Sequence, residues 1–221
     1  MDTSFNPWLK IWVEPRATVA RLLEESPSRG FWLLAIIYGF SSALNWMQSM
    51  MLGERLRLGH IFVIAFVLSP IWGYLGFSIW SWVVYYTGKW LKGFGTFQEV
   101  RFAYAWSCVP LIVNVCLWFL LAGLYGRSLF ANFTSESQAL SNSEVGVLFT
   151  IFLVRIASAI WSNVIYLNAL AQVRRYSILR AIGNVLISGF IIMAGVYLIL
   201  WIGYSALGVS LPNISSNLLK L

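Results

Sequence analysis

The stretch FLVRIASAIWSN (residues 152–163) sets one guanidinium, Arg155, among Phe152, Leu153, Val154 and Ile156. The apolar run around it, 146–172, contains no acidic residue. In water this would be a core helix with a misplaced charge. In a bilayer it is a spanning helix whose arginine must find partners there. Composition decides between these solvents. Of 221 residues, 59% are hydrophobic and only 10% charged, with a mean hydropathy of +0.75, whereas a soluble domain carries about 25% charged residues. Such a chain cannot cover itself with polar groups. Its 12 Trp, 10 Tyr and 15 Phe agree, because amphipathic aromatics gather at membrane interfaces.

Working outward from 146–172, apolar runs of about 20 residues recur at 31–52, 61–87, 102–125 and 182–207. The expected fold is an all-α integral membrane protein with five transmembrane helices and short amphipathic N-terminal helices at the interface. Its parts are a cytoplasmic segment (1–30), the five-span membrane domain (31–207) and a short external tail (208–221). An odd number of spans without self-similarity argues against an inverted repeat within one chain, the usual build of a secondary transporter, but leaves open a homodimer with a shared pathway. The first thirty residues have no apolar core followed by a small-residue cleavage site, so no cleavable signal peptide is expected.

The net charge of +7 lies between apolar spans and not on a basic stripe, so nucleic acid is not the expected partner. Orientation and contact with anionic lipid headgroups are. With the N-terminus inside, Lys10, Arg16, Arg21, Arg29, Lys89, Lys92, Arg101, Arg174, Arg175 and Arg180 fall on the cytoplasmic side, against Arg55, Arg57, Arg127 and Lys220 outside. That bias predicts N-in, C-out. The loop 126–145 would then face outward, with glycosylation-type triplets at Asn132 and Asn213 that matter only in a eukaryotic secretory pathway. Cys108 and Cys116 share one predicted helix about 12 Å apart, too far for a disulfide. With His60 the only histidine, no metal and no cofactor is expected.

Outside the spans, NPWLKIWVEPRATVARLLEESP (6–27) is the most organised stretch. Asn6 can cap a helix that starts at Pro7, which sets Trp8, Ile11 and Trp12 on one face. Pro15 begins a second helix with Val19, Leu22 and Leu23 on one side. Trp8, Ile11, Trp12, Arg16 and Arg21 are the candidate interfacial anchors. The segment either packs under the bundle or offers a surface to partners or lipid.

This lead-in resembles that of bacterial members of the Yip domain family. The segment GKWLKGFGTFQEV (88–100) is similar to the family's G-x-G-[ST]-F pattern through Gly93, Gly95, Thr96 and Phe97. AWSCVPL (105–111) is similar to a small–aromatic–x-x-x-Pro-Leu pattern through Ala105, Trp106, Pro110 and Leu111. The resemblance implies a five-span membrane protein with a cytoplasmic N-terminus in the bacterial inner (plasma) membrane. The D-L-Y-G-P type motif and the long polar N-terminal region of eukaryotic members are absent, so Rab binding is not carried over. Physically, Pro110 should kink the third span, and Gly93 and Gly95 permit a tight re-entry turn.

Polar side chains within spans must face one another or water. Ser41, Asn45 and Gln48 line one face of the first span. Arg155, Ser158, Ser162 and Tyr166 line one face of the fourth, with Asn163 beside them. Arg155 lies about 13 Å past Gly146 by helix rise, and its five donors require neutral acceptors, water or a bound anion. These eight residues are the candidate lipid- or anion-binding set. With no phosphate loop, zinc pattern or activated nucleophile, no catalytic residue is expected. The expected function is a non-catalytic membrane protein that organises membrane or recruits partners through 7–25, 88–101 and 173–180, with anionic lipids, a membrane-protein partner or a second copy as partners. The alternative is a transporter or lipid translocator with an anion or phosphate site at Arg155.

Overall fold

A computed structural model describes residues 5–26, 28–131 and 141–206. Their regular elements are all helical: α1 (Pro7–Lys10), α2 (Pro15–Glu25), α3 (Phe31–Ser49), α4 (Leu58–Trp90), α5 (Phe97–Ser107), α6 (Ile112–Tyr125), α7 (Asn142–Arg174) and α8 (Ile178–Ala206). Short 3-10 turns occupy Leu52–Glu54, Val109–Leu111 and Gly126–Phe130. Among the described residues, four stretches are long and apolar enough to cross a membrane: Leu58–Trp90, Phe97–Phe130, Asn142–Arg174 and Ile178–Gly203. The expected first span is the 19-residue helix α3 and is not among them. It ends at Ser49, before the left-handed backbone of Met51 (φ 52°), and it carries the polar side chains of Ser41, Asn45 and Gln48.

α5 and α7 begin before the apolar runs expected there, because polar residues cap them. At α5 and α7 a capping box does this. The Thr96 side chain accepts from the Glu99 N–H while Glu99 accepts from Thr96, and Ser141 and Glu144 repeat the arrangement. The expected third span, 102–125, is broken in two. Pro110 lies in the Val109–Leu111 turn between α5 and α6, so Cys108 caps α5 and Cys116 lies in α6. Both thiols are free. The two triplets at Asn132 and Asn213 and the tail 208–221 lie outside the described residues.

α3 and α4 form the tightest seam. A Cβ on Gly39 would overlap the Ser69 carbonyl and come within 2.7 Å of the Gly73 nitrogen; one on Gly73 would overlap the Ala35 carbonyl. Backbones meet directly there, as small residues four apart permit in membrane helices. α4 also carries an internal proline, Pro70, which cannot donate to the carbonyl of Phe66. The Ser69 hydroxyl donates to that carbonyl at 2.7 Å, so α4 continues through Pro70.

Two hydrophobic clusters stack along the bundle. The one at the N-terminal end includes Ile11, Leu22, Phe77, Trp106 and Leu170. The one at the far end includes Leu44, Met47, Ile61, Trp118 and Phe130. At the far end Arg127 joins the two 3-10 turns, its Nε donating to the Gly53 carbonyl and its Nη2 to that of Glu54 at 2.7 Å. Long apolar faces of α4, α7 and α8 stay exposed, a surface suited to lipid and not to water.

Candidate functional site

At the N-terminal end the chain returns from α4 to α5 through residues 91–96. Lys92 takes left-handed backbone (φ 58°), as does Gly95 (φ 81°). A Cβ on Gly95 would stand 2.7 Å from the Val173 carbonyl, and one on Gly93 would stand 2.9 Å from Arg174 Nε. The glycines of the G-x-G-T-F segment thus clear space for the end of α7, and in particular for Arg174.

Arg174 is 0% exposed. Its Nη1 donates to the carbonyls of Phe94 (2.7 Å) and Gly95 (3.4 Å), and its Nη2 to that of Tyr85 (2.9 Å). The Phe94 N–H donates back to the Arg174 carbonyl at 3.0 Å, and the guanidinium lies 5.2 Å from the Tyr85 ring centroid. Counted from sequence as a loop charge, Arg174 is instead a buried clamp that joins the end of α4, the re-entry loop and α7. Some 80 residues separate it from Phe94, so no local spacing rule could have paired them.

Beside the clamp, Thr87 is the hub of a buried polar cluster. Its hydroxyl lies 2.5 Å from Asn184 Oδ1 and 2.7 Å from the Ser188 hydroxyl, while Asn184 Nδ2 donates to Tyr176 Oη at 2.7 Å. Burial holds the Tyr176 phenol above its ordinary range. Asn184 and Ser188 lie near the start of the fifth apolar run, and Thr87 at the end of the second.

The N-terminal helices seat on Trp106. Its indole N–H donates to the Arg29 carbonyl at 3.1 Å, and its ring lies 5.0 Å from that of Trp8. Gly30, in left-handed backbone (φ 72°), would bring a Cβ to 3.1 Å from the same indole. Asn6 caps α1 by accepting from the Trp8 N–H at 3.0 Å. Trp8 and Trp12 pack against the bundle, and Ile11 is fully buried in it, so this face turns inward while Leu9 and Val13 are exposed. Arg16 donates to Asn168 Oδ1 at 3.1 Å, tying α2 to α7. Arg21 pairs with Glu25 at 2.8 Å.

Between α2, the re-entry loop and the end of α7 opens a basin of about 510 Å³. Ala20, Leu23 and Glu24 form one wall; Phe94, Gly95, Thr96 and Glu99 form the second; Gln172, Val173 and Arg175 form the third. It therefore draws on all three segments singled out in the sequence as a working face.

The eight candidate residues for lipid or anion binding divide into separate places. Ser162, Asn163 and Tyr166 line a second cavity of about 260 Å³ with Trp80, Tyr104 and Ser107. There Ser162 donates to the Ser107 carbonyl at 2.8 Å, and Tyr166 accepts from the Trp80 indole at 3.1 Å. Arg155 and Ser158 do not line it. Asn45 donates to the Ser41 carbonyl of its own helix at 2.8 Å, and Gln48 to the Leu129 carbonyl at 3.0 Å, which joins α3 to the far-end turn. Arg155 lies against Trp118, 4.7 Å from guanidinium carbon to ring centroid.

Residues 9–202 match the Yip1 domain. No curated protein and no solved structure matches the chain.

Proposed function

This chain belongs to the Yip1 domain family and is an integral membrane protein; from that premise we propose that it is a non-catalytic, five-span protein that recruits a protein partner at its N-terminal face in the cytoplasm. The observation that carries the reading is the basin. Segments from three distant parts of the chain meet around it, and the buried Arg174 clamp holds two of them in register. A rigid, open depression bearing Glu24, Gln172 and Arg175 suits a partner's polar loop better than a lipid tail. α3 is read as the fifth span because it lies along α4 through a seam too close for anything but helix on helix, with Trp32 and Leu33 exposed near one end and Trp46 near the other. N-in, C-out follows from the excess of positive charge on the face with α1, α2 and the re-entry loop, in the plasma membrane of a bacterium.

Photo-cross-linkers placed at Glu24 and Gln172, with controls at Trp46 and Arg57 on the far half, test this in intact membranes. One and the same protein captured from both basin positions and from neither control is the expected result. No adduct at either basin position would remove the reading.

A second reading, a transporter or lipid translocator with an anion or phosphate site at Arg155, is favoured by the guanidinium itself, whose Nε and Nη2 have no hydrogen-bond partner in the protein. It requires Arg155→Ala to abolish translocation in reconstituted vesicles without lowering expression. Unchanged translocation would eliminate it.

A further inference from the structure

Among the described residues, four of the buried side-chain nitrogen and oxygen atoms without a hydrogen-bond partner come from one contact between α6 and α7. They are Arg155 Nε, Arg155 Nη2, Trp118 Nε1 and Asn114 Oδ1. Asn114 lies one turn before Trp118, so both lie on one side of α6, and the Arg155 guanidinium rests 4.7 Å from the Trp118 ring centroid. Three of the four are donors. Nε and Nη2 form one edge of the guanidinium, the fork that grips an oxyanion through two parallel bonds. The other two arginine clamps are better satisfied: Arg127 spends Nε and Nη2 on backbone carbonyls, and the buried Arg174 spends Nη1 and Nη2, leaving only its Nε without a partner. Arg155 spends this edge on nothing.

Its depth points to the ligand. Trp118 stacks on Phe130 with centroids 5.4 Å apart and rings 17° from parallel, and Phe130 closes the far-end turn Gly126–Phe130. Helical side chains lean toward their helix's N-terminus, which for α7 is the far end. The guanidinium therefore leans out of the hydrocarbon centre toward the far-end headgroups. Arg155 keeps part of its surface uncovered, and Phe152, one turn before it on α7, is exposed.

We propose that Arg155, held on the Trp118 ring, binds the phosphate of an anionic phospholipid in the leaflet opposite the N-terminal face, with the acyl chains along the exposed face of α7 at Phe152. A rotation of the guanidinium on its flexible stem turns the unpartnered fork to the phosphate oxygens. A free phosphate would satisfy the same donors, but it has no use for the apolar flanks. This deepens only the Arg155 element of the second reading. A lipid can be bound without being moved, so loss of translocation and loss of the lipid are separate results.

The test is native mass spectrometry of the protein released from nanodiscs of phosphatidylcholine with phosphatidylglycerol as the minor lipid. Wild type is expected to retain phosphatidylglycerol. Arg155→Leu should retain it at least about tenfold less, the scale of one lost charge-assisted bond. Arg155→Lys, which keeps the charge and lacks the fork, should fall between them. In discs of phosphatidylcholine alone, Arg155→Leu should melt close to wild type, because the loss of the Trp118 ring contact is offset by removing unpaired buried donors and no hydrogen bond is broken; that keeps a folding defect distinct from a binding defect. Equal phosphatidylglycerol retention by wild type and Arg155→Leu would overturn the site. Arg155-dependent binding of inorganic phosphate that phosphatidylglycerol fails to displace would overturn the lipid assignment.

Discussion

Arg174→Met removes the guanidinium while keeping an unbranched apolar stem of similar reach. Two of its bonds are short, 2.7 Å to Phe94 O and 2.9 Å to Tyr85 O; the third, 3.4 Å to Gly95 O, is at the limit of contact. Hydrogen bonds to a charged group contribute about 1.5–3 kcal/mol, and the low end applies because the acceptors are neutral carbonyls. Losing both short bonds then costs about 3 kcal/mol, of which the Phe94 share, about 1.5 kcal/mol or roughly tenfold, falls on the equilibrium for opening the re-entry loop. Hydrogen exchange at residues 91–96 in detergent or nanodiscs reads this directly, since the Phe94 amide is bonded to the Arg174 carbonyl. Arg174→Lys should lose about half, because one ammonium cannot span both carbonyls as the fork does. Gly88→Ala tests the same device without touching the arginine: its new Cβ would stand 2.8 Å from Arg174 Nε and closer still to Nη2. It should accelerate the same peptide. If 91–96 exchanges at the wild-type rate in both Arg174→Met and Gly88→Ala, the clamp is not what holds the loop, and the rigidity assumed for the basin goes with it.

Gly73→Ala should lower stability by about 1–3 kcal/mol, the range for an overpacked contact, because its Cβ meets the Ala35 backbone; an unchanged thermal midpoint for it would mean that α3 and α4 are not in backbone contact. Trp106→Phe keeps an aromatic ring of smaller size and loses the bond to the Arg29 carbonyl, which alone contributes about 1 kcal/mol. Exchange should rise through residues 7–29 and not at the far end, and a uniform rise would refute the seating role. Thr87→Val leaves Asn184 Oδ1 and the Ser188 hydroxyl without their shared partner, at about 1–3 kcal/mol for the stranded groups. Local exchange at the start of α8 reports it, and wild-type exchange there would show the cluster to be dispensable.

How much of this was legible beforehand follows from the range of each interaction. Apolar run length marked the long helices, and Asn6 before Pro7 announced the cap of α1, because both signals are local. The small-residue seam was also readable in principle from Ala35-x-x-x-Gly39 and Ser69-x-x-x-Gly73, although only the fold pairs the two strings. Helix ends were misjudged where polar residues extend a helix beyond its apolar run, as Thr96 and Ser141 do. Pro110 was legible as a break but Pro70 was not, since what keeps α4 continuous is a hydroxyl that compensates for the missing N–H. The candidate polar set was assembled by helical periodicity alone, which puts Arg155 and Tyr166 on one face. Three turns apart, the two meet different neighbours, one the Trp118 ring and the other the Trp80 indole.

Arg127, Arg155 and Arg174 separate the meanings a positive charge can have in such a chain. By the orientation rule Arg127 and Arg174 count as loop charges on opposite sides. In the folded protein each is instead a fastener: Arg127 donates to the carbonyls of Gly53 and Glu54, and Arg174 to those of Phe94 and Gly95 in the re-entry loop and of Tyr85 in α4. Carbonyls suit that task, because an acidic partner would bring a second charge to desolvate, whereas the loops already present acceptors. The same reasoning singles out Arg155. At the α6–α7 contact its Nε and Nη2 find no acceptor among the described residues. A fastener with nothing to fasten is costly, and an acceptor from outside the chain removes the cost. That acceptor must come from the surrounding solvent, which at that depth is lipid.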